Sequence, residues 1–469
     1  MRSILLAVLF LALALTGSVT AQQRWERTYG GTNDDVGYSV QQTSDGGYIV
    51  AGMTSSFGAI NGDVYLIKTN ASGDTLWSKT YGGTGTDWGR SVQQTSDGGY
   101  IIAGWTTSFG AGMEDVYLIK TNSQGNTLWT KTYGGTNGDW GSSVQQTSDG
   151  GYIIAGYTES FGAGNRDVYL IKTNSQGDTL WTKTYGGTGL DGGSSIQQTS
   201  DGGYIIAGST HSFGAGRYDV YLIKTNASGD TLWTRTYGGT NDDFSQSIWQ
   251  TSDGGYIVSG FTLSFGAGGY DVYLIKTNAS GNMLWTRTYG GVSTDWGWSI
   301  QQTTDGGYII GGNTDSFGDS SQVYLVRTNA SGDTLWTRTY GGAGNEAGYS
   351  VQQTSDGGYI VAGYTSSFGA GYDDVYLIKT DAYGNVGVES PIRKVDGSAS
   401  RPLQVTPNPF TSFSTVPGHS SESFTLYDIS GRRVGTYKGD RIGEGLRAGV
   451  YFVRSSDSKD KPLRIVKVR

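Results

Sequence analysis

The sequence predicts an all-β chain: a seven-bladed β-propeller followed by a small immunoglobulin-like β-sandwich. The prediction rests first on a unit of about 52 residues that recurs seven times, because a period in this range is typical of solenoids and propellers. It rests also on the phase of that repeat along the chain. Each copy begins with a tryptophan, at Trp25, Trp77, Trp129, Trp181, Trp233, Trp285 and Trp336.

Each unit contains four short runs with the composition of β-strands, which in the second copy span 76–81, 91–95, 100–106 and 116–121. Asp97-Gly98-Gly99 separates the second run from the third. It predicts a tight hairpin, because glycine tolerates the positive φ that such turns need. In the fourth run, Val116 and Leu118 face one side of the sheet, Tyr117 and Ile119 face the other, and both sides are apolar. Both faces must therefore be covered by neighbouring sheets.

The two ends of the repeat region are incomplete in complementary ways. The first tryptophan run, 25–29, has no three strands before it, and the last copy ends in three runs with no tryptophan run after them. Together these ends make one complete blade. The N-terminal run is therefore predicted to close a ring and to remove an exposed sheet edge. The alternative is an open solenoid, which gains nothing from this offset and needs polar terminal caps.

Within each copy, Thr-Tyr-Gly-Gly is followed by Asp-Gly-Gly-Tyr, Ser-Phe-Gly and Val-Tyr-Leu-Ile-Lys-Thr or a near variant. From Trp25 to about Thr380 the chain resembles the bacterial β-propeller repeat families, whose pattern carries a Tyr-x-Gly-Gly segment and an Asp–Gly loop. The resemblance implies the propeller fold. It implies no particular activity, because propellers host many unrelated functions.

Composition and charge narrow the functional classes. Residues 1–389 hold 19 Lys and Arg against 34 Asp and Glu, a net of −15; residues 390–469 hold 14 against 7, a net of +7, and the two sum to −8. An acidic repeat region argues against nucleic-acid binding, which needs a basic footprint. The charge change marks a domain boundary near Ser390. The chain has no cysteine, so packing alone must stabilise it.

The first 21 residues have the pattern of a secretory signal peptide. Arg2 precedes an apolar run over 4–15, and Val19-Thr20-Ala21 offers a small-residue cleavage site. The run is too short to cross a bilayer, and no other stretch is long and apolar enough for a transmembrane helix. We therefore expect export of the chain and removal of residues 1–21.

Variation among the seven copies collects on one side of the predicted disc. If the strands of a blade are named a to d from the centre outward, the a–b and c–d turns hardly change between copies. The opposite side carries three variable columns, in which 11 of 21 residues are aromatic. The first column is Val36, Trp88, Trp140, Gly192, Phe244, Trp296 and Ala347. The second is Tyr38, Arg90, Ser142, Ser194, Gln246, Trp298 and Tyr349. The third is Met53, Trp105, Tyr157, Ser209, Phe261, Asn313 and Tyr364.

An aromatic surface of this kind is predicted to stack on sugars or to hold a protein partner. The predicted binding residues are Trp88, Trp105, Trp140, Tyr157, Phe244, Phe261, Trp296, Trp298, Tyr349 and Tyr364. The alternative interpretation is structural. The rings would then wedge between blades, or the columns would vary because nothing constrains them.

The acids and histidines indicate no catalytic or metal site. One acid per blade forms a column that could hold calcium, but a repeated loop also needs an acid to accept backbone N–H groups, and we prefer that reading. The only histidines, His211 and His419, lie in different predicted domains, so a nucleophile–histidine system has almost nothing to be built from. We predict no enzyme, no cofactor and no metal. A polysaccharide hydrolase or lyase, which needs only two carboxylates, is the alternative.

The acid column beside the aromatic columns consists of Asp35, Asp87, Asp139, Asp191, Asp243, Asp295 and Glu346. A second acid column breaks at Gln322, which favours local loop capping over a shared metal site. Its members are Asp63, Asp115, Asp167, Asp219, Asp271 and Asp374.

The C-terminal segment has a different pattern. Pro407-Asn408-Pro409 is followed by a hairpin pattern with Ser430-Gly431 at its turn, by Gly449 before a strand at 450–454, and by an alternating last strand that contains Lys467. Read physically, these pieces suit a small β-sandwich. In this order they resemble the C-terminal sorting domain of type IX secretion cargo in Bacteroidota. The resemblance implies a sorting signal that includes Pro407, Asn408, Pro409, Gly431, Gly449 and Lys467, and it implies the type IX secretion machinery as a partner.

These observations predict a signal peptide over 1–21, a propeller over 22–389, a linker over 390–400 and a sorting domain over 401–469. We expect a protein that is secreted or attached to the outer-membrane surface. It would act as a binding, adhesion or structural module whose aromatic face binds a polysaccharide or a surface protein.

Overall fold

The computed structural model describes residues 24–59, 61–387, 411–415, 423–428, 432–438, 441–455 and 463–468. The predicted signal peptide and the predicted linker lie outside these residues. The chain divides into two compact units, Met1–Pro391 and Ile392–Arg469. Across the described ranges every regular element is a β-strand. None of their segments forms a helix of the length and hydropathy that a bilayer crossing needs.

The described part of the first unit contains seven four-stranded antiparallel sheets. It begins with β1 (Trp25–Tyr29), and blade 1 follows as β2 (Asp35–Gln42), β3 (Tyr48–Thr54), β4 (Asp63–Thr69) and β5 (Thr75–Tyr81). Blade 2 is β6 (Asp87–Gln94), β7 (Tyr100–Thr106), β8 (Asp115–Thr121) and β9 (Thr127–Tyr133). Blade 3 is β10 (Asp139–Gln146), β11 (Tyr152–Thr158), β12 (Asp167–Thr173) and β13 (Thr179–Tyr185).

The remaining blades keep the same strand lengths. Blade 4 is β14 (Asp191–Gln198), β15 (Tyr204–Thr210), β16 (Asp219–Thr225) and β17 (Thr231–Tyr237). Blade 5 is β18 (Asp243–Gln250), β19 (Tyr256–Thr262), β20 (Asp271–Thr277) and β21 (Met283–Tyr289). Blade 6 is β22 (Asp295–Gln302), β23 (Tyr308–Thr314), β24 (Gln322–Thr328) and β25 (Thr334–Tyr340). Blade 7 is β26 (Glu346–Gln353), β27 (Tyr359–Thr365), β28 (Asp374–Thr380) and, from the N-terminus, β1.

The N-terminal strand closes the ring, as the phase of the repeat predicts. Strand β1 pairs antiparallel with β28, from Trp25 opposite Lys379 to Tyr29 opposite Val375. The innermost strand of each blade also contacts the next one, and β26 contacts β2. The blades therefore form a closed β-propeller, and the open-solenoid alternative is wrong.

Apolar faces of neighbouring blades pack against each other. At the boundary between blades 1 and 2, Ile49 and Leu66 bury against Ile102 and Ile119, all at most 1% exposed. Equivalent clusters fill the other boundaries, including the one between blades 7 and 1. Burying each aliphatic side chain of this size stabilises the fold by about 1.5–3 kcal/mol. This packing explains why strands b and c are apolar on both faces.

Side-chain hydrogen bonds link the inner strands around the central channel. Ser39 Oγ accepts from the Val92 amide at 3.2 Å, and Gln41 Oε1 accepts from the Gln94 amide at 2.6 Å. The serine bond recurs at all seven boundaries. The glutamine bond recurs at six, because Trp249 stands where the seventh glutamine would be. The inner-edge amides of the propeller are thus largely occupied.

The uniform a–b turn holds an ion pair between a buried lysine and an exposed aspartate. In blade 1, Gly46 adopts a φ of 81°, and Asp45 accepts hydrogen bonds from Thr43 Oγ1, Gly47 N and Lys68 Nζ at 2.5, 3.0 and 3.0 Å. Desolvation by burial raises the pKa of Asp45, but these hydrogen bonds outweigh it and hold the pKa at about 2. The arrangement recurs in the other blades, with Arg327 in place of lysine in blade 6.

The described part of the second unit contains six short strands. They are β29 (Ser414–Thr415), β30 (Ser423–Asp428), β31 (Arg433–Lys438), β32 (Arg441–Ile442), β33 (Gly449–Ser455) and β34 (Leu463–Lys467). One four-stranded sheet has the order β31-β30-β33-β34, and β29 pairs with β32. The predicted hairpin is confirmed by the antiparallel pairing of β30 with β31. Its turn at Ser430-Gly431 lies outside the described residues, and the immunoglobulin-like sandwich stays a prediction.

Two of the six predicted sorting-signal residues fall within the described part. Gly449 begins β33, and Lys467 Nζ donates to the Ser412 carbonyl at 2.7 Å. The other four lie outside the described residues: Pro407, Asn408, Pro409 and Gly431.

Candidate functional site

Strand pairing brings the first and third columns together on one side of the disc. Each first-column residue lies directly opposite its third-column partner across strands a and b, as Trp88 does opposite Trp105 and Trp140 opposite Tyr157. The second column falls at a β-bulge that recurs in every blade, as at Arg90 between Gly89 and Ser91. A bulge re-aims the extra side chain, so the second column departs from the regular alternation of the strand.

Ten aromatic rings from the three columns form one contiguous chain of contacts. One arm runs from Tyr38 through Trp88, Trp105 and Trp140 to Tyr157, with successive ring centroids 5.6, 5.2, 4.8 and 5.3 Å apart. The other arm runs from Tyr38 through Tyr349, Trp298 and Phe261 to Phe244, at 5.2, 5.4, 5.7 and 5.1 Å. Tyr364 branches from Tyr349 at 6.0 Å. Ring pairs at these separations attract each other beyond their area burial.

Burial divides the predicted binding residues into two groups. Trp105 and Phe261 are 6% and 9% exposed, so these two rings wedge into the propeller as the structural alternative expects. The other eight keep part of their surface accessible to solvent. Among the described residues Trp296 contacts none of these ten rings, but it lines a small cavity together with Trp298 and Tyr349.

The aromatic chain surrounds a cavity of about 320 Å³. Strand a of every blade contributes to its wall, and blades 3 and 4 each add one residue of strand b and the residue before strand c. The described residues that line it are Tyr38, Arg90, Trp140, Gly141, Ser142, Tyr157, Arg166, Gly192, Gly193, Ser194, Ser209, Tyr218, Phe244, Gln246, Trp298 and Tyr349. The volume lies at the lower end of the range for small-ligand pockets.

Blade 4 interrupts the aromatic wall. Gly192, Ser194 and Ser209 occupy its three column positions, where blade 3 has Trp140, Ser142 and Tyr157. A Cβ added to Gly192 would meet only side-chain atoms, the nearest at 3.7 Å, so no close backbone contact requires a glycine here. Blade 4 therefore lines the cavity, at these three positions, with smaller side chains than blade 3.

Two arginines are the charged residues among the described cavity lining. The Arg90 guanidinium carbon lies 4.3 Å from the Tyr38 ring centroid, and that of Arg166 lies 4.5 Å from the Tyr157 ring centroid. Burial raises the pKa of Tyr38, and Arg90 lowers it in part by its charge and its hydrogen bond to the hydroxyl. Tyr157 behaves in the same way: burial raises its pKa, and Arg166 opposes that rise.

A fourth variable column supplies Arg166 and was missed by the sequence analysis. It is the residue immediately before strand c, occupied by Gly62, Glu114, Arg166, Tyr218, Tyr270, Ser321 and Asp373. Its backbone role is constant, because each carbonyl accepts the amide of the first residue of the next blade, as Arg166 does from Asp191 at 2.8 Å. Apart from Tyr218 and Tyr270, the seven residues all differ in type. The same comparison of copies, moved one residue ahead of the second acid column, would have revealed it.

The two acid columns cap loops. Asp35 Oδ2 accepts from Gly31 N at 2.8 Å and from Ser56 Oγ at 2.6 Å, and Asp115 Oδ2 accepts from Ala111 N at 2.9 Å. Within the described ranges no group of three acidic, histidine or cysteine side chains is placed to hold a metal ion. The contacts match the loop-capping interpretation, in which each acid accepts backbone amides. His211 is exposed, with its ring 5.2 Å from that of Tyr218.

Comparison with known proteins gives limited similarity in sequence. No family model matches the chain. The chain is 27% identical over 225 residues to the regulatory protein FlaEY of Caulobacter vibrioides, a match that covers 42% of this chain and 23% of that protein. The chain thus spans less than a quarter of the length of this curated relative.

Several solved structures are similar at low identity. The Pan2 WD40 domain of Neurospora crassa is 9% identical, covering 74% of this chain and 89% of that one, with a TM-score of 0.45. YCF48 bound to D1 peptide is 9% identical, covering 78% and 97%, with a TM-score of 0.44. The α-L-arabinanase of Penicillium chrysogenum, complexed with arabinobiose, is 11% identical, covering 62% and 92%, with a TM-score of 0.42. At these identities and scores the similarities carry no argument about function.

Proposed function

We propose that this protein is a binding module that takes a polysaccharide or a surface-protein ligand into the aromatic-lined cavity of its propeller. One observation carries the proposal. The cavity departs from the sevenfold repetition of the ring, since six blades place larger side chains around it and blade 4 leaves a gap at Gly192. A wall that served only to fill space would gain nothing from such a gap.

The lining chemistry suits ligand recognition. Trp140, Phe244, Trp298 and Tyr349 keep part of their rings accessible, and they stand beside hydroxyl, amide and guanidinium groups. Large rings with a few placed polar groups are typical of small-ligand pockets. Trp and Tyr are also the residues that most often carry binding energy at interfaces.

Export to the cell surface is part of the proposal. The N-terminal signal pattern and the C-terminal resemblance to type IX cargo support it. In a host that has type IX machinery, the full chain should reach the surface or the medium, whereas a chain that lacks 401–469 should stay in the periplasm. Cell fractionation measures the difference. Surface delivery of the shortened chain would contradict a sorting role for that segment.

Binding can be tested by applying the purified full chain to an array of polysaccharides. Trp140→Ala should weaken binding of any captured glycan by about tenfold or more, because the ring lines the cavity and is partly accessible. Leu232→Ala is a matched control, since Leu232 is 58% exposed on the outermost strand of blade 4. Equal loss in both variants, or unchanged binding in Trp140→Ala, would contradict the proposal.

The same samples separate a binding module from an enzyme. Chromatography of the incubated glycans detects new reducing ends or unsaturated products. Binding without products supports the module, whereas products that disappear in Trp140→Ala would assign the cavity to a polysaccharide hydrolase or lyase.

A further inference from the structure

We propose that the cavity binds a uronic acid residue of an acidic polysaccharide, with its carboxylate held by Arg90 and Arg166 and its ring against the aromatic wall. This ligand class rests on the binding function proposed above and specifies the chemistry of the same cavity. Four observations support it: the charge of the lining, the positions of the two guanidinium groups, the gap in blade 4, and the inner-strand amides that already donate hydrogen bonds.

The charge of the cavity is opposite to that of its surroundings. Residues 1–389 carry a net charge of −15, from 19 basic and 34 acidic side chains, yet the charged residues of the described lining are Arg90 and Arg166. Buried lysines elsewhere in the ring have carboxylate partners, as Lys120 has Asp97 at 2.9 Å. Among the described residues no carboxylate forms an ion pair with Arg90 or Arg166. Arg166 Nε is buried without a hydrogen-bond partner.

The positions of the two guanidinium groups suit the binding of a carboxylate. Each lies over a tyrosine ring, at 4.3 Å for Arg90 on Tyr38 and 4.5 Å for Arg166 on Tyr157. Ring contact fixes a long side chain in one place and reduces the entropy lost on binding. A guanidinium presents a planar fork of N–H donors that matches a carboxylate in a bidentate pair.

The gap in blade 4 provides room beside Arg166 for a sugar ring. A Cβ added to Gly192 would lie 3.7 Å from Tyr157 Cβ and 4.0 Å from Arg166 Nε. The opening is therefore next to the unpaired donor. Tyr157 stands on one side of the gap, and Tyr218 with Phe244, whose ring centroids are 5.0 Å apart, lines the other.

The occupied strand edges favour a sugar over an acidic peptide. Extended peptides gain affinity from main-chain hydrogen bonds to a free strand edge. Here the inner-strand amides on either side of the cavity-lining residues already donate, as Asp139 does to the Glu114 carbonyl and as Val144 and Gln146 do to Ser91 and Gln93, so a peptide would find no continuous free edge. The cavity instead offers side-chain hydroxyls and an amide, from Ser142, Ser194 and Gln246, which suit sugar hydroxyls.

The test uses the full chain and tetrasaccharides of galacturonate, mannuronate and hyaluronan, each paired with its carboxyl-reduced counterpart. Calorimetric titration measures the dissociation constants. At least one acidic tetrasaccharide should bind about tenfold or more tightly than its reduced counterpart, because a hydrogen-bonded charge is lost on reduction. Equal affinities for the two forms would overturn the proposal.

Variants place that binding in the cavity. Arg166→Met and Arg90→Met should each weaken binding of the acidic form about tenfold and abolish the preference for it over the reduced form. Arg338→Met is the matched control, since Arg338 also lies over an aromatic ring, 5.5 Å from the Trp336 centroid, but on the outermost strand β25. Gly192→Trp should abolish binding by filling the gap, and Gly192→Ala should leave it intact.

The outcomes separate this proposal from the binding function on which it rests. If a neutral glycan or an acidic peptide binds instead and Gly192→Trp abolishes that binding in a folded protein, the cavity is a binding site and the uronic acid assignment is wrong. If Gly192→Trp changes the binding of no glycan or peptide while thermal unfolding stays as in the wild type, both are wrong. If acidic binding survives in both arginine variants, the assignment of the carboxylate to Arg90 and Arg166 is wrong.

Discussion

Lys120 lies near the end of β8 with 4% of its side chain exposed, and a single carboxylate at the hairpin tip neutralises it. Desolvation raises the pKa of that carboxyl, Asp97, but hydrogen bonds from Thr95, Lys120 and Gly99 outweigh the effect and hold the pKa at about 2. Four further blades hold the matching aspartate at the same value. The repeat thus places several acid-sensitive ion pairs in one ring.

The depressed pKa gives these pairs a defined pH dependence. A carboxyl with a folded-state pKa of about 2 contributes stability that is full above its unfolded value of 3.8 and is lost as the pH falls through about 2. We expect the melting temperature to fall steeply between about pH 4 and pH 2. Asp97→Asn should flatten this slope by the share of one pair, and an unchanged slope would contradict the assignment.

At neutral pH, Asp97→Asn should destabilise the fold by about 1–3 kcal/mol, because it leaves a buried ammonium short of its charged acceptor. Lys120→Met alone removes the charge that needs a partner. In the double variant the cost of Asp97→Asn should therefore be smaller than in the wild-type background, which denaturant unfolding in a double-mutant cycle measures. Additive costs would show that the two side chains are not coupled.

A second set of aspartates should act in the opposite direction. Burial raises the pKa of Asp115, and the neighbouring Asp139 carboxylate raises it further. Stability from such a group is fully present below its unfolded pKa and is lost as the pH rises through the raised folded value. Blade 6 avoids the like-charge pair, because Gln322 stands at this position and its Nε2 donates to Glu346 Oε2 at 3.2 Å.

We therefore expect Asp115→Asn to raise the melting temperature at pH 7 and to have less effect at pH 4. The asparagine oxygen can still accept the Ala111 amide, and its NH₂ group can donate to Asp139 as Gln322 donates to Glu346. Asp115→Ala is the control, since it removes the charge and the acceptor together. A lower melting temperature for the asparagine variant at pH 7 would contradict the role given to repulsion.

At the scale of elements, strand β1 differs from the other outermost strands. It completes blade 7 from the opposite end of the sequence, whereas each of the others follows strand c of its own blade through a short turn. Trp25 is 4% exposed, its ring lies 5.8 Å from that of Tyr48, and its Nε1 donates to the Ala71 carbonyl at 3.2 Å. We expect Trp25→Ala to cost about 3–5 kcal/mol of unfolding free energy. The equivalent Trp181→Ala on the outermost strand of blade 3 should cost less, because Trp181 is only half-buried and its strand is held by a tight turn.

Denaturant unfolding of the two tryptophan variants checks this prediction. Proteolysis adds a second readout, since release of β1 exposes the edge of β28 and should make Trp25→Ala cleave faster. Equal costs for the two variants would show that closure by β1 adds nothing beyond local packing.

Strand positions and ring closure could be predicted from the sequence because the repeat supplies seven copies of one pattern, which can be compared with one another. The run that begins at Trp25, which has no strands before it, predicted the closure of the ring. The glycines of each Asp-Gly-Gly predicted the hairpins. The recurring bulge at Arg90 could not be predicted, because a bulge shifts pairing without changing composition. The interblade bonds of Ser39 and Gln41 were likewise hidden, since they depend on the distance between blades.

At the scale of the whole molecule, function depends on departures from symmetry. Column comparison found the aromatic face, and the structure joins most of its rings into one chain around a cavity. Two features lay beyond that comparison. The burial of Trp105 and Phe261 depends on packing across the blade, and the approach of Arg166 to Tyr157 depends on a loop position whose residue type varies from copy to copy.

Trp249 is another departure from symmetry, on the inner strand of blade 5. Six blades use a glutamine there to accept the amide of the next inner strand, as Gln145 does from Gln198 at 2.6 Å. Indole has no acceptor to offer, so the Gln302 amide should exchange with solvent deuterium faster than the Gln198 amide. Trp249→Gln should slow exchange at Gln302 to the rate of Gln198, which NMR measures. Equal rates in the wild type would mean that closure of the ring by strand packing, and not the glutamine bonds, protects these amides.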